Sequence, residues 1–183
     1  MAFTFTKTEI DGVVIVEPKV FGDERGYFME TYSESDFHEA GLNYKFVQDN
    51  QSSSRRGVLR GLHFQKEHPQ AKLVRVISGE VFDVAVDLRE GSPTFGKWVG
   101  VRLSAENKKQ LMIPRGFAHG FLVLSETAEF VYKCDEFYHP EDEGGVAWDS
   151  CGIEWPEVEG ELTLSEKDGK HPRLEDLEFR FKI

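Results

Sequence analysis

Val58-Leu59-Arg60-Gly61-Leu62-His63-Phe64 is an apolar run that places a cation and an imidazole three positions apart. Its length and its aliphatic and aromatic members predict a β-strand. Alternate side chains of a strand share a face. Leu59, Gly61 and His63 are therefore expected on one side and Val58, Arg60, Leu62 and Phe64 on the other, unless the strand is twisted or bulged at Gly61. Similar short runs recur on both sides, at 3–6, 12–20, 27–32, 46–51, 73–77, 81–88, 99–103, 111–113, 117–124 and 129–134. Their regular spacing, broken by Gly, Pro, Asp and Asn, predicts a mainly β sandwich or barrel. Ser78-Gly79 and Pro114-Arg115-Gly116 read as hairpin turns, and 21–26 as a polar turn. Ser33 is expected to cap a short helix that stops at Gly41, with Asp36 at the capping-box position.

The 183 residues fit one domain, 1–183, and no composition shift marks a second. Between 135 and 168 there are 12 acids and one base, which predicts loops and a short helix packed on the barrel. A net charge of −11 argues against broad contact with nucleic acid or anionic lipid, both of which need a basic face. Residues 52–76 run the other way, with Arg55, Arg56, Arg60, Lys66, Lys72 and Arg75 against Glu67, a local +5 around the opening stretch. No apolar run reaches the roughly 20 residues that span a bilayer, and Lys7, Glu9 and Asp11 interrupt the N-terminal segment, so a cytoplasmic location without membrane contact is expected. Cys134 and Cys151 lack metal-knuckle spacing and read as free thiols.

His63 is the first candidate for chemistry, although a histidine on a short apolar strand is more often a hydrogen-bonded structural residue. Pro114-x-Gly116-x-x-His119 places a second histidine just after a turn that can bring backbone close to a ligand. Two histidines on separate strands raise the question of a metal, and the second half is similar to the second motif of the cupin barrels. The first motif there supplies HxH and a glutamate. This chain reads His63-Phe64-Gln65, with Glu67 and His68 out of step, so a metal-free site is expected. Lys72 and Tyr132 have ordinary readings as a surface lysine and a core tyrosine, and sharper ones as proton-transfer groups. Asp168 is most simply a solvated loop acid; its sharper role is to hold a histidine's tautomer.

Taken in order, Phe21-x-Asp23-x-Arg25-Gly26, Gln48-Asp49-Asn50, Arg60-Gly61-Leu62-His63, Pro114-x-Gly116-x-x-His119, Tyr132-Lys133 and Ser165-x-Lys167-Asp168 resemble the dTDP-4-dehydrorhamnose 3,5-epimerases over nearly the whole chain. Each motif alone is weak; the ordered set is specific. The resemblance implies an all-β, cupin-like double-stranded β-helix, or jelly roll, with short peripheral helices. It also implies a dTDP-sugar substrate, no cofactor, and a homodimer in which Phe21 and Arg25 reach the partner's site. In its terms His63 is the base, oriented by Asp168, Tyr132 the acid, and Lys72 the stabiliser of a C4 enolate. Arg25, Arg60 and Lys167 are the matched cations, while Glu30, Gln48, Asn50 and Glu143 match positions that touch nucleotide or sugar. His119 goes with the sugar and phosphate region, and Phe21 and Tyr138 are surfaces for thymine. A mono-epimerase acting at C3 or C5 alone, a cupin that binds sugar nucleotides without turnover, and a metal-dependent cupin oxygenase are the rival readings.

Overall fold

A computed structural model describes residues 2–182. The described residues form thirteen strands: β1 (Phe3–Lys7), β2 (Val14–Pro18), β3 (Phe21–Asp23), β4 (Gly26–Phe28), β5 (Gln48–Arg55), β6 (Leu59–Gln65), β7 (Lys72–Ser78), β8 (Glu80–Asp87), β9 (Trp98–Ser104), β10 (Gln110–Ile113), β11 (Phe117–Val123), β12 (Thr127–Cys134) and β13 (Glu143–Gly145). Two sheets face each other, ordered β1-β2-β10-β7-β12-β5 and β13-β6-β11-β8-β9. All the strand pairings between named strands are antiparallel. This is the jelly roll the sequence implies.

The two expected hairpin turns are corners instead. Gly79 separates β7 from β8 and Gly116 lies between β10 and β11, and in each case the two strands belong to different sheets. Both glycines have positive φ, +80° and +98°, and a Cβ on Gly79 would stand 2.1 Å from the Thr127 carbonyl oxygen. Only glycine fits there, and the chain can pass from one sheet to the other. The run at 27–32 also departs from expectation. Only Tyr27 and Phe28 of it are paired, in a β3–β4 hairpin that joins neither main sheet.

The core between the sheets is aliphatic and aromatic, with Val74, Val81, Leu103, Leu111 and Phe130 buried in one cluster. Phe121 of β11 and Phe130 of β12 stack across the sandwich at 4.1 Å between ring centres. Removing a ring at such a position typically costs about 3–5 kcal/mol. Two further clusters cover the outer faces. Helix α1 (Glu34–Glu39) lays Phe37 against Phe3, Val16 and Met112, with Ser33 capping it as expected. The acidic stretch 135–168, expected as loops with a short helix, holds β13 and 3-10 turns in place of an α-helix, and the chain beyond it packs Leu177 and Phe181 on Leu62, Phe64 and Val86. Among the described residues no helix is long and apolar enough to cross a membrane.

Candidate active site

A cavity of about 410 Å³ opens between the two sheets. The facing sheet β13-β6-β11-β8-β9 lends it Arg60, His63 and Gln65 from β6, His119 and Phe121 from β11, and Glu143 from β13. The other sheet lends Gln48 and Asn50 from β5, Lys72 from β7, and Phe130 and Tyr132 from β12. The basic patch inferred from residues 52–76 divides: Arg60 and Lys72 line the cavity, whereas Arg75 lines a separate depression with Lys133.

Strict alternation would put Arg60 and His63 on opposite faces. The register explains why they share one. His63 pairs with His119 and Arg60 with Phe121, so three steps along β6 match two along β11. The extra residue is a β-bulge, which reverses the alternation and turns Arg60 back toward the cavity. Leu62 and Phe64 meanwhile pack in the outer cluster. Gly61 permits this with φ at +115°. A Cβ there would stand 2.6 Å from the His119 carbonyl oxygen and 2.7 Å from the Gly120 Cα.

Asp168 is buried, not the solvated loop acid of the plain reading. Its Oδ1 hydrogen-bonds His63 Nε2, and its Oδ2 accepts from the Gly61 amide at 3.1 Å. Burial alone would push its carboxyl up. The groups that face it, His171, His63 and the Gly61 amide, outweigh that and hold it well below the usual carboxylate range. Because Asp168 occupies Nε2, Nδ1 is the nitrogen of His63 left to exchange a proton. The imidazole is 32% exposed, enough for a substrate to reach.

A second pair lies one strand away. His119 Nε2 meets Asp83 Oδ1 at 2.7 Å, and both side chains are enclosed. Burial pushes His119 down, against the pull of Asp83, and pushes Asp83 up, against His119 and Lys72. Burial likewise lowers the Lys72 ammonium, opposed by Cys134, Asp83 and Glu143. Lys72 Nζ lies 5.7 Å from the centre of the Tyr132 ring. The Tyr132 hydroxyl is pushed up to about 12, first by burial and then by Cys134.

At the cavity rim Tyr138 Oη donates to Glu143 Oε2 at 3.2 Å, and Lys167 Nζ pairs with the same oxygen. Gln65, which stands where a metal-binding cupin has its second histidine, ties down the rim. Its Nε2 donates to the carbonyls of His68 (2.7 Å) and Phe137 (3.1 Å), and its Oε1 accepts from the His139 amide at 2.7 Å.

Of the residues expected from sequence, His63, Lys72, Tyr132, Gln48, Asn50, Arg60, His119, Tyr138 and Glu143 line this cavity, with Asp168 behind His63 and Lys167 on Glu143. Phe21, Arg25 and Glu30 do not. Phe21 and Arg25 lie on the exposed hairpin, Arg25 paired with Asp23, and Glu30 follows just after it, also exposed. Asp83, His171 and Cys134 were not anticipated as site neighbours. Asp83 has a sequence signal, a single acid in the buried apolar run Val81–Val86, since a buried acid requires a partner.

The family model for dTDP-4-dehydrorhamnose 3,5-epimerase matches residues 7–176. The dTDP-4-dehydrorhamnose 3,5-epimerase of Methanothermobacter thermautotrophicus is 61% identical over 169 residues, 91% of each chain. That of Shigella flexneri is 60% identical over 177 residues, 94% of this chain and 97% of its own. The crystal structure of dTDP-6-deoxy-D-glucose-3,5-epimerase from Legionella pneumophila, in complex with dTDP-4-keto-L-rhamnose, superposes with a TM-score of 0.92 at 52% identity, covering 94% of this chain and 93% of its own. With its jelly roll, its cavity and these matches, the chain belongs to the dTDP-4-dehydrorhamnose 3,5-epimerase family.

Proposed function

We propose that the chain epimerises C3 and C5 of dTDP-4-dehydro-6-deoxy-D-glucose to give dTDP-4-dehydro-L-rhamnose, with His63 and Tyr132 as its proton-transfer groups. The observation that carries this reading is that an imidazole from one sheet and a phenol from the other line a single cavity. C3 and C5 both flank the C4 ketone, so loss of hydrogen from either leaves an enolate whose charge rests on the C4 oxygen. His63 Nδ1 removes the proton, and Asp168 stabilises the resulting imidazolium while fixing its tautomer. Lys72 answers the enolate charge; a preorganised donor of this kind is typically worth about 3 kcal/mol, or a hundredfold or more in rate. Tyr132, with its hydroxyl near 12, keeps its proton through the neutral range and delivers it to the opposite face of the carbon. Inversion requires two groups, because one group returning its own proton to the same face restores the starting centre.

Arg60, Lys167 and Arg25 are assigned to the pyrophosphate, where guanidinium forks suit phosphate oxygens. Gln48, Asn50, His119, Glu30 and Glu143 go to sugar and nucleotide, and Phe21 and Tyr138 to the thymine. The chemistry calls for no redox cofactor. The donor atoms of His63, Asp168 and His171 lie within 4.8 Å of one another. A metal ion held among them would have to break the direct His63–Asp168 bond that orients the base, so the reaction is assigned to the chain's own groups. Dialysis against a chelator is expected to leave turnover unchanged.

Incubation with the 4-keto sugar nucleotide in D₂O, read by NMR, tests the reading. Deuterium is expected at both C3 and C5 of the product. Label at one carbon alone indicates a mono-epimerase, and no label a protein that only binds.

The same reading makes the chain a homodimer whose β3–β4 hairpin reaches the partner's cavity. Tyr27 and Phe28 on this hairpin are 61% and 68% exposed, and an isolated two-stranded ribbon is at best marginally stable in water. Sedimentation at micromolar concentration should give a dimer, and Arg25→Ala should raise KM without changing the mass. A monomer with full activity would remove this part.

A further inference from the structure

Among the enclosed side chains that the mechanism above leaves without a role is the His171 imidazole. His171 follows the 3-10 turn Asp168–Lys170, and its side chain is 9% exposed. Its Nε2 has no hydrogen-bond partner within ordinary range; the nearest oppositely charged atom is Asp168 Oδ1 at 3.4 Å, an approach rather than a formed bond. Its ring stands edge-on to His63, 5.7 Å away and at 81°. The imidazole occupies a slot that one glycine leaves open. A Cβ on Gly145 would stand 2.4 Å from His171 Cε1 and Nε2, and Gly145 is the β13 residue paired with His63. The same two segments are tied by backbone, since the Ala147 amide donates to the Pro172 carbonyl at 2.8 Å.

The proton on this nitrogen can be placed by elimination. A bare Nε2 lone pair facing a carboxylate oxygen, with no donor near, would be repelled and unpaired in a buried place, a costly arrangement. An N–H there is attracted to the nearest acceptor, Asp168 Oδ1 at 3.4 Å, although the bond is not closed. Asp168 then faces three donors: the Gly61 amide on Oδ2, and His63 and His171 on Oδ1.

We propose that His171 is a positioning residue, whose Nε2–H, seated by the absent side chain of Gly145, steadies Asp168 against His63 and so sets how tightly His63 holds the proton it takes. This rests on the reading of His63 as base. A carboxylate shared with a second donor pulls less strongly on the His63 imidazolium, which lets His63 release its proton to solvent after each turnover. Loss of His171 frees Asp168 for His63 alone, so His63 should hold its proton more tightly. The direction is the same whether His171 is neutral or cationic, because removing a nearby positive charge also favours the charged His63. The other groups around His63 stay in place: Arg60 on its own strand, His119 from β11, Glu143 with its partner Lys167 from the rim, and Lys72 and Tyr132 across the cavity.

The test is the titration of the His63 ring, followed by NMR in the intact protein without substrate, together with the acidic limb of kcat/KM. His171→Leu, which fills the slot without a donor, should move both midpoints up by roughly one pH unit. His171→Gln, which returns an N–H near the same place, should bring both back toward the original position. Gly145→Ala should reproduce the shift by crowding the ring out of its slot, and should add nothing when combined with His171→Leu. An unmoved His63 midpoint in His171→Leu with its fold intact by circular dichroism overturns the proposal, as does a shift that His171→Gln fails to reverse. The ring titration is independent of turnover. A moved ring midpoint without a moved limb therefore rejects His63 as the base while leaving the His171 contact in place.

Discussion

Two histidine–aspartate pairs lie side by side, His119–Asp83 within one sheet and His63–Asp168 between that sheet and a 3-10 turn, and His63 is the cross-strand partner of His119. Their residue types are the same and their surroundings differ. Asp168 collects donors and stays ionised; Asp83 is enclosed, with Oδ2 lacking any partner, and burial pushes its carboxyl up. His63 opens to the cavity, whereas His119 is closed in and pushed down by burial. On the proposed mechanism the first pair takes and gives up a proton. The second is built to keep a neutral imidazole in the wall. Identity of side chains thus decides little; the number of donors and the access of solvent divide the roles.

The largest break in this comparison should come from His63→Ala, expected to lower turnover by about a thousandfold or more and to abolish solvent exchange at both carbons. His119→Ala should leave exchange measurable; equal loss in the two variants would mean that the pairs do not divide the work. Next come the acids. Asp168→Asn should cost about a thousandfold in kcat, because an amide fails to fix the tautomer or to stabilise the imidazolium. Asp83→Asn should cost about tenfold or less, as its oxygen can still accept from His119. Steady-state kinetics on both variants checks the order.

The smallest effect is on stability. His119 is held below its ordinary value, so the unfolded chain binds its proton first as pH falls. Folding stability from this group is therefore present above about pH 6.5 and is lost as pH falls below that, toward and through the lower value of the folded state. Thermal melts of wild type and His119→Gln between pH 8 and pH 5 should converge toward acid, and parallel curves would show that His119 is not kept neutral by burial.

Much of this comparison can be read from sequence, and its limits are physical. The strand runs were visible because short apolar segments between turn residues repeat, and the match of ordered motifs named the cavity side chains. The sequence leaves the stretch around His63 open, since alternation puts Arg60 and His63 apart unless a bulge falls at Gly61, and only the pairing with β11 reveals the extra residue. Ser78-Gly79 and Pro114-Arg115-Gly116 carry ordinary turn chemistry, and nothing local distinguishes a hairpin from a crossing between sheets. The cations of residues 52–76 do not all stay together in space: Arg60 and Lys72 share the cavity, whereas Arg75, three residues beyond Lys72 on β7, lines a separate depression. His171 gave no signal: its slot depends on Gly145, far away in sequence.

On the proposed mechanism hydrogen leaves the sugar toward one sheet and arrives from the other. Tyr132→Phe in D₂O tests it most directly, with label and stereochemistry at C5 followed by NMR in the same sample. Exchange should persist while formation of the L-sugar falls by about a hundredfold, because His63 can still remove and return a proton on its own side. Exchange and inversion falling in equal proportion would contradict the account.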